Sequence, residues 1–255
     1  MSQLAFTAFS LNGVDAQKFL QGQVTIHVER LSENESRYTA ICDLKGRIHF
    51  GLWIKKLNPE SFELVTVQDQ AEEFSKHIKK FGAFSKMKLD EIGSVYPTAV
   101  GIQTEFSATE TDIHIWQVQA IQSGQAWITH TTEHLFQPQE LRLHQRDGVH
   151  FDKGCYLGQE IVARLWFKAK PKHWLHLIQA KETTPAPATQ LNKDVEVVNS
   201  IAFEDGSDFS NMTESVLSIS DLKHKTSISV WLLPKIVSAI NENFKNSASV
   251  STANK

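Results

Sequence analysis

The chain has 255 residues, 41% of them hydrophobic and 22% charged, and a net charge of −3. That length is enough for two or three small domains and the composition excludes a wholly disordered chain, while the near-neutral balance excludes a global pull toward nucleic acid or a membrane surface. Two cysteines, Cys42 and Cys155, cannot build a disulfide framework or a four-cysteine metal site and fit a reducing cytoplasm.

Residues 1–6 show no basic n-region or apolar core of a signal peptide, and no apolar run approaches the roughly 18 residues of a membrane span. No membrane association is therefore expected. Asp15 is placed to cap a short helix with Ala16, Phe19 and Leu20 on one face and Gly22 at its end. Residues 37–42 and 47–54 read as strands, the second with Ile48, Phe50, Leu52 and Ile54 alternating with His49, Gly51 and Trp53. Asp43-Leu44-Lys45-Gly46 is the turn between them. After a strand at 62–67, Ala71, Phe74, Ile78 and Phe81 mark one face of a helix. Its early acids (Glu72, Glu73), late lysines (Lys76, Lys79, Lys80) and Gly82 all agree with that reading.

Met87, Leu89 and residues 95–102 predict further strands, and 105–112 reads as a polar break. Alternation of Ile113, Ile115 and Gln117 with His114, Trp116 and Val118 predicts another strand, which residues 126–129 continue after a break at 121–124. Pro138 opens a helical turn with Glu140. Beyond the basic linker 168–173, short runs at 174–179, 195–203, 215–220 and 227–233 have the texture of a small all-β unit. Residues 241–255 are Ser- and Asn-rich and read as a flexible tail.

Lys153-Gly154-Cys155-Tyr156-Leu157-Gly158-Gln159-Glu160 concentrates chemistry in one loop. Ile161, Val162 and Leu165 continue it at helical spacing, which puts Glu160 in the first turn. A cysteine beside a helix start, two residues from Lys153, is placed for a lowered pKa; a buried structural cysteine in a tight turn is the other reading of the same residues. The eleven histidines show no metal-ligand spacing, so no metal is expected. Walker, dinucleotide and nucleophile-elbow motifs are missing as well.

This loop resembles the signature of the YgfZ family, folate-binding paralogues of the glycine-cleavage T-protein. Three other stretches share the resemblance: residues 11–25, Cys42-Asp43-Leu44-Lys45-Gly46-Arg47-Ile48, and Phe136-Gln137-Pro138-Gln139 with Leu141. The resemblance implies an α+β, T-protein-like three-part ring. Its first part is 1–42 with 113–167, including the cysteine loop; a ferredoxin-like middle part is 43–112, and a C-terminal β-barrel is 172–235. It implies tetrahydrofolate as ligand and a cytoplasmic role in maturing or repairing iron–sulfur client enzymes, such as radical tRNA-thiolating enzymes, and thereby in tRNA modification; direct tRNA contact is left open. Cys155 becomes the functional thiol, with Lys153 beside it. Trp116 and, more weakly, Phe6 become the aromatic ligand contacts, Lys45 and Arg47 the holders of an anionic tail, and Gln122, Tyr156, Gln159 and Glu160 further contacts. Gln122 stands where the family usually has an acid, and Phe50-Gly51 replaces the acids of the T-protein, so aminomethyl transfer is not expected. A one-carbon transferase and a ligand-free interaction module are the competing readings.

Overall fold

Strand β1 (Phe6–Asn12) sends Phe6 and Ala8 into one core and Phe9 and Leu11 into another. A strand buried on both faces must lie inside a sheet covered on both sides. In the computed structural model, which describes residues 3–169, 171–180, 184–193, 195–202 and 213–220, that is its position. The other strands of this sheet are β2 (Ser36–Cys42), β3 (Ile48–Asn58), β4 (Ser61–Val67), β5 (Lys88–Val100) and β6 (Gln103–Ser107). They pair antiparallel throughout in the order β2-β3-β4-β1-β5-β6. The sheet curls until its edges approach, and Ser36 Oγ on β2 donates to the Thr104 carbonyl on β6 at 3.2 Å.

Helices α1 (Ala16–Gln21) and α2 (Ala71–Phe81) cover one face. Phe19, Leu20, Phe74 and Ile78 lie there against Phe9, Phe50, Leu52 and Phe62. Acids open α2, lysines close it and Gly82 caps it, so the helix dipole is matched at both ends. The opposite face is covered by α3 (Ile113–Gln122), through Trp116, Ala120 and Ile121, by the segment 126–149, and by Val162 of α4 (Gln159–Phe167). A second antiparallel sheet has the order β7-β10-β9-β8, from β7 (His173–Ala180), β8 (Gln190–Asn192), β9 (Val195–Ile201) and β10 (Thr213–Ser220). The expected strand 227–233 and tail 241–255 lie outside the described residues.

Several local expectations are corrected. Residues 113–122 form a helix, not a strand. Asp112 caps it by accepting from the His114 amide at 2.8 Å, and Trp116, Ala120 and Ile121 share its buried face. Tertiary burial of that face overrides the β-branched alternation. Residues 126–129 extend no strand; the Trp127 amide and carbonyl are satisfied by the Asn199 side chain at 3.0 and 2.9 Å. The polar break at 105 is occupied by β6. Asp15 makes no side-chain cap, because its Oδ2 accepts from the Lys86 amide at 2.7 Å instead. The boundary drawn at residue 42 falls at the β2–β3 hairpin, whose strands pair within one sheet. No helix among the described residues is long and apolar enough to cross a membrane.

Candidate functional site

The four sequence stretches meet at one place. A left-handed glycine, Gly158 (φ 80°), precedes α4, and a Cβ there would lie 2.4 Å from the Asp43 carbonyl and 2.9 Å from Cys42 Cβ. Gly46 (φ 70°) sits in the hairpin tip, and a Cβ on it would lie 2.9 Å from Ile161. Each glycine makes room for the other's segment, which only a residue without a side chain allows. The stretch after α1 joins through the Leu157 amide, 3.3 Å from the Gly22 carbonyl. The 136–141 stretch joins through Gln139 Nε2, which donates to the Val162 carbonyl at 2.6 Å, and through the Phe136 carbonyl, which accepts from the Ile48 amide at 2.8 Å.

Lys153 locks this assembly. Its side chain is buried and its ammonium donates to the Gln21 and Val24 carbonyls at 2.7 and 2.5 Å. The ammonium also lies 4.7 Å from the centre of the buried Tyr156 ring, a cation–π distance. Burial pulls its pKa down to about 7, with the Glu29 carboxylate acting the other way. Gln159 Nε2 closes the loop onto the Lys153 carbonyl at 3.4 Å. Cys155 is exposed, as are Gly154 and Glu160. Cys42 is buried, and burial raises its pKa well above the usual thiol range, so it is an inert core thiol. The loop thus holds its flanking residues and leaves one thiol outward.

The charged hairpin tip is fixed by Asp43, whose Oδ1 accepts from the Lys45 and Arg47 amides at 2.8 and 3.0 Å. Its Oδ2 faces His134 Nδ1 at 3.0 Å. Lys45 is exposed. Arg47 donates to the His134 and Leu135 carbonyls at 3.0 and 2.8 Å. It also lines a cavity of about 490 Å³ with Phe136, Glu140, Lys172, Lys193 and Glu196. Burial raises the pKa of Glu196, against the opposing charge of Arg47 and His173.

The two expected aromatic contacts lie elsewhere. Trp116 is 2% exposed and its indole N–H donates to Thr104 Oγ1 at 3.1 Å. Phe6 is 1% exposed and meets Trp116 edge-on, 5.2 Å between centroids at 86°. Trp53, Phe106 and Trp127 complete that aromatic core. As placed, neither ring offers a free face to a pterin. Gln122, at the end of α3, is half-buried. The residues lining the Arg47 cavity fit a folate: the volume suits a small ligand, Arg47, Lys172 and Lys193 would hold a carboxylate tail, and Glu140 and Glu196 would accept from an amino-pyrimidine edge.

Sequence reading missed Arg146, which braces the loop after Gln122. It donates to Gln125 Oε1 at 3.1 Å, to the Ser123 carbonyl at 2.7 Å and to the Ile102 carbonyl. Burial lowers its pKa to about 10. It missed as well the convergence of His49, Glu73 and Glu133, which come from three separate elements and share no spacing.

No protein-family model matches the chain. The chain is 30% identical to the tRNA-modifying protein YgfZ of Colwellia psychrerythraea, with 71% of each chain covered. It is 28% identical to an uncharacterized protein of Haemophilus influenzae, over 77% of this chain and 78% of the other. In fold it is similar to the glycine cleavage system aminomethyltransferase T of Bartonella henselae, with a TM-score of 0.58 at 11% identity, covering 84% of this chain and 76% of that one.

Proposed function

The chain belongs to the YgfZ family, and from that premise we propose that it is a folate-binding protein that assists the maturation or repair of iron–sulfur enzymes in the cytoplasm, and thereby tRNA modification. The observation that carries this reading is the loop at 153–160. A buried lysine, two close-packed glycines and three other chain segments hold it in one conformation, and Cys155 is its outward thiol. Preorganisation of this kind serves a group that must meet a partner in a fixed geometry. Cys155 is the functional thiol, acting on a client enzyme.

Tetrahydrofolate occupies the cavity beside Arg47. Arg47, Lys172 and Lys193 hold its carboxylates, and Glu140 and Glu196 face its ring. Trp116 and Phe6 belong to the buried aromatic core and not to this cavity. The chain completes a T-protein-like three-part ring with a C-terminal barrel. Aminomethyl transfer is not part of the activity: Phe50 is fully buried, and Gly51 is closed off by Tyr38, whose hydroxyl a Cβ at that position would meet at 1.9 Å. A calorimetric titration with tetrahydrofolate tests the ligand. Saturable one-to-one binding that weakens about tenfold in Lys172→Ala is expected, and no heat at high micromolar folate sinks the folate part.

A further inference from the structure

Three side chains that the function above does not use bring one donor atom each to a common point. They are the His49 imidazole on β3, the Glu73 carboxylate in the first turn of α2, and the Glu133 carboxylate in the segment that pairs with the start of β3. The three donor atoms lie within 4.8 Å of one another.

The surroundings hold two of the three in place. Gln70 Nε2 donates to the His49 carbonyl at 2.9 Å and to Glu133 Oε2 at 3.1 Å, so one amide fixes both. The His49 ring lies 4.3 Å from the His134 ring, and His134 is anchored on Asp43. The other Glu133 oxygen faces His130 Nδ1 at 3.2 Å. Glu73 is exposed and touches His49 Nε2 only at 3.8 Å, so it is the arm free to close.

Two observations ask for a ligand here. First, among the described residues neither Glu73 nor Glu133 is paired with a lysine or an arginine. Two converging carboxylates repel one another, and a cation between them relieves that repulsion. Second, Gln70 is 1% exposed and its Oε1 has no hydrogen-bond partner. An unmet buried acceptor costs about 1–3 kcal/mol, and it belongs to the same amide whose nitrogen holds Glu133.

We propose that His49, Glu73 and Glu133 bind a divalent first-row transition cation of the zinc type, with Gln70 orienting Glu133. One imidazole and two carboxylates suit a borderline-hard cation; the nitrogen donor disfavours Ca²⁺ and Mg²⁺, and the lack of a thiolate disfavours Cu⁺. Bonds of about 2.0–2.2 Å place donors roughly 3.5 Å apart, which the swing of Glu73 provides. Three protein ligands leave a position for water. The bound cation ties β3, α2 and the 133 segment together beneath the hairpin that carries Asp43 and Arg47. This site stands independently of the folate and Cys155 readings.

The test is a calorimetric titration of the chelator-treated full chain with Zn²⁺, alongside thermal unfolding with and without the ion. Wild type is expected to bind one equivalent and to gain thermal stability from it. Glu73→Gln and Glu133→Gln each weaken binding by about 100-fold, and Gln70→Met by about tenfold. His27→Gln, outside the cluster, binds as wild type. Glu73→Gln changes an exposed side chain and leaves the core untouched, so its binding reports the site rather than folding. Absence of one-equivalent binding, or equal affinity in wild type, Glu73→Gln and Glu133→Gln, overturns the proposal and leaves adventitious binding to surface histidines.

Discussion

The Lys153 ammonium lies 2.5 Å from the Val24 carbonyl, and with the Leu157 amide on the Gly22 carbonyl this contact ties the cysteine loop to the segment that follows α1. With the Gln21 carbonyl at 2.7 Å and the Tyr156 ring beneath, it replaces most of the water the ammonium gives up.

A pH dependence follows. The native pKa is about 7, below the usual 10.5, with burial as the first cause. Between those values the unfolded chain binds more protons than the native one, so stability rises with pH across that window. Below pH 7 both states are protonated and the native protein bears the full cost of the buried cation. Lys153→Met leaves the two carbonyls unpaired and costs about 2 kcal/mol or more at pH 9–10. The gap to wild type narrows as pH falls toward 7. Urea unfolding of both proteins across this range checks it; parallel profiles contradict it.

Glycine positions in the same loop separate close approach from mere flexibility. Gly158→Ala forces a Cβ to within 2.4 Å of the Asp43 carbonyl at a positive φ and should cost about 3 kcal/mol. Gly154→Ala meets nothing within 4 Å and should stay within about 0.5 kcal/mol. Equal unfolding midpoints for the two variants would remove the dovetail between hairpin tip and loop.

Trp116 makes the opposite prediction from a ligand contact. Trp116→Phe gives up the indole bond to Thr104 and some core volume and should cost about 1–3 kcal/mol of stability. Its tetrahydrofolate affinity should stay within about threefold of wild type, whereas Lys172→Ala loses about tenfold. A Trp116→Phe protein with intact stability and lost folate binding would reverse these roles.

Much of the fold was legible where local signals agreed. In α2 the apolar spacing, the end charges and Gly82 all point one way, and its bounds match. The β2–β3 hairpin was legible from alternation and its Asp–Gly turn. Residues 113–122 were not, because Ile113, Ile115 and Val118 mimic a strand while the deciding facts, the Asp112 cap and burial of Trp116 with Ala120 and Ile121, depend on the neighbouring sheet. For the site, the motifs could be found singly, but their convergence depends on Gly46 and Gly158 fitting against distant segments. The locking role of Lys153 was hidden for the same reason: its partners, the carbonyls of Gln21 and Val24, are backbone groups that any residue type supplies. His49, Glu73 and Glu133 are brought together by the packing of α2 and the 133 segment against β3.

The central claim is that the clamped loop presents Cys155 as a working thiol. The most direct measurement is the level of thiolated tRNA nucleosides in cells lacking the protein and supplied with wild type, Cys155→Ser or Gly154→Ala at matched abundance. The account predicts that wild type and Gly154→Ala restore the modification and Cys155→Ser does not. Full restoration by Cys155→Ser contradicts it.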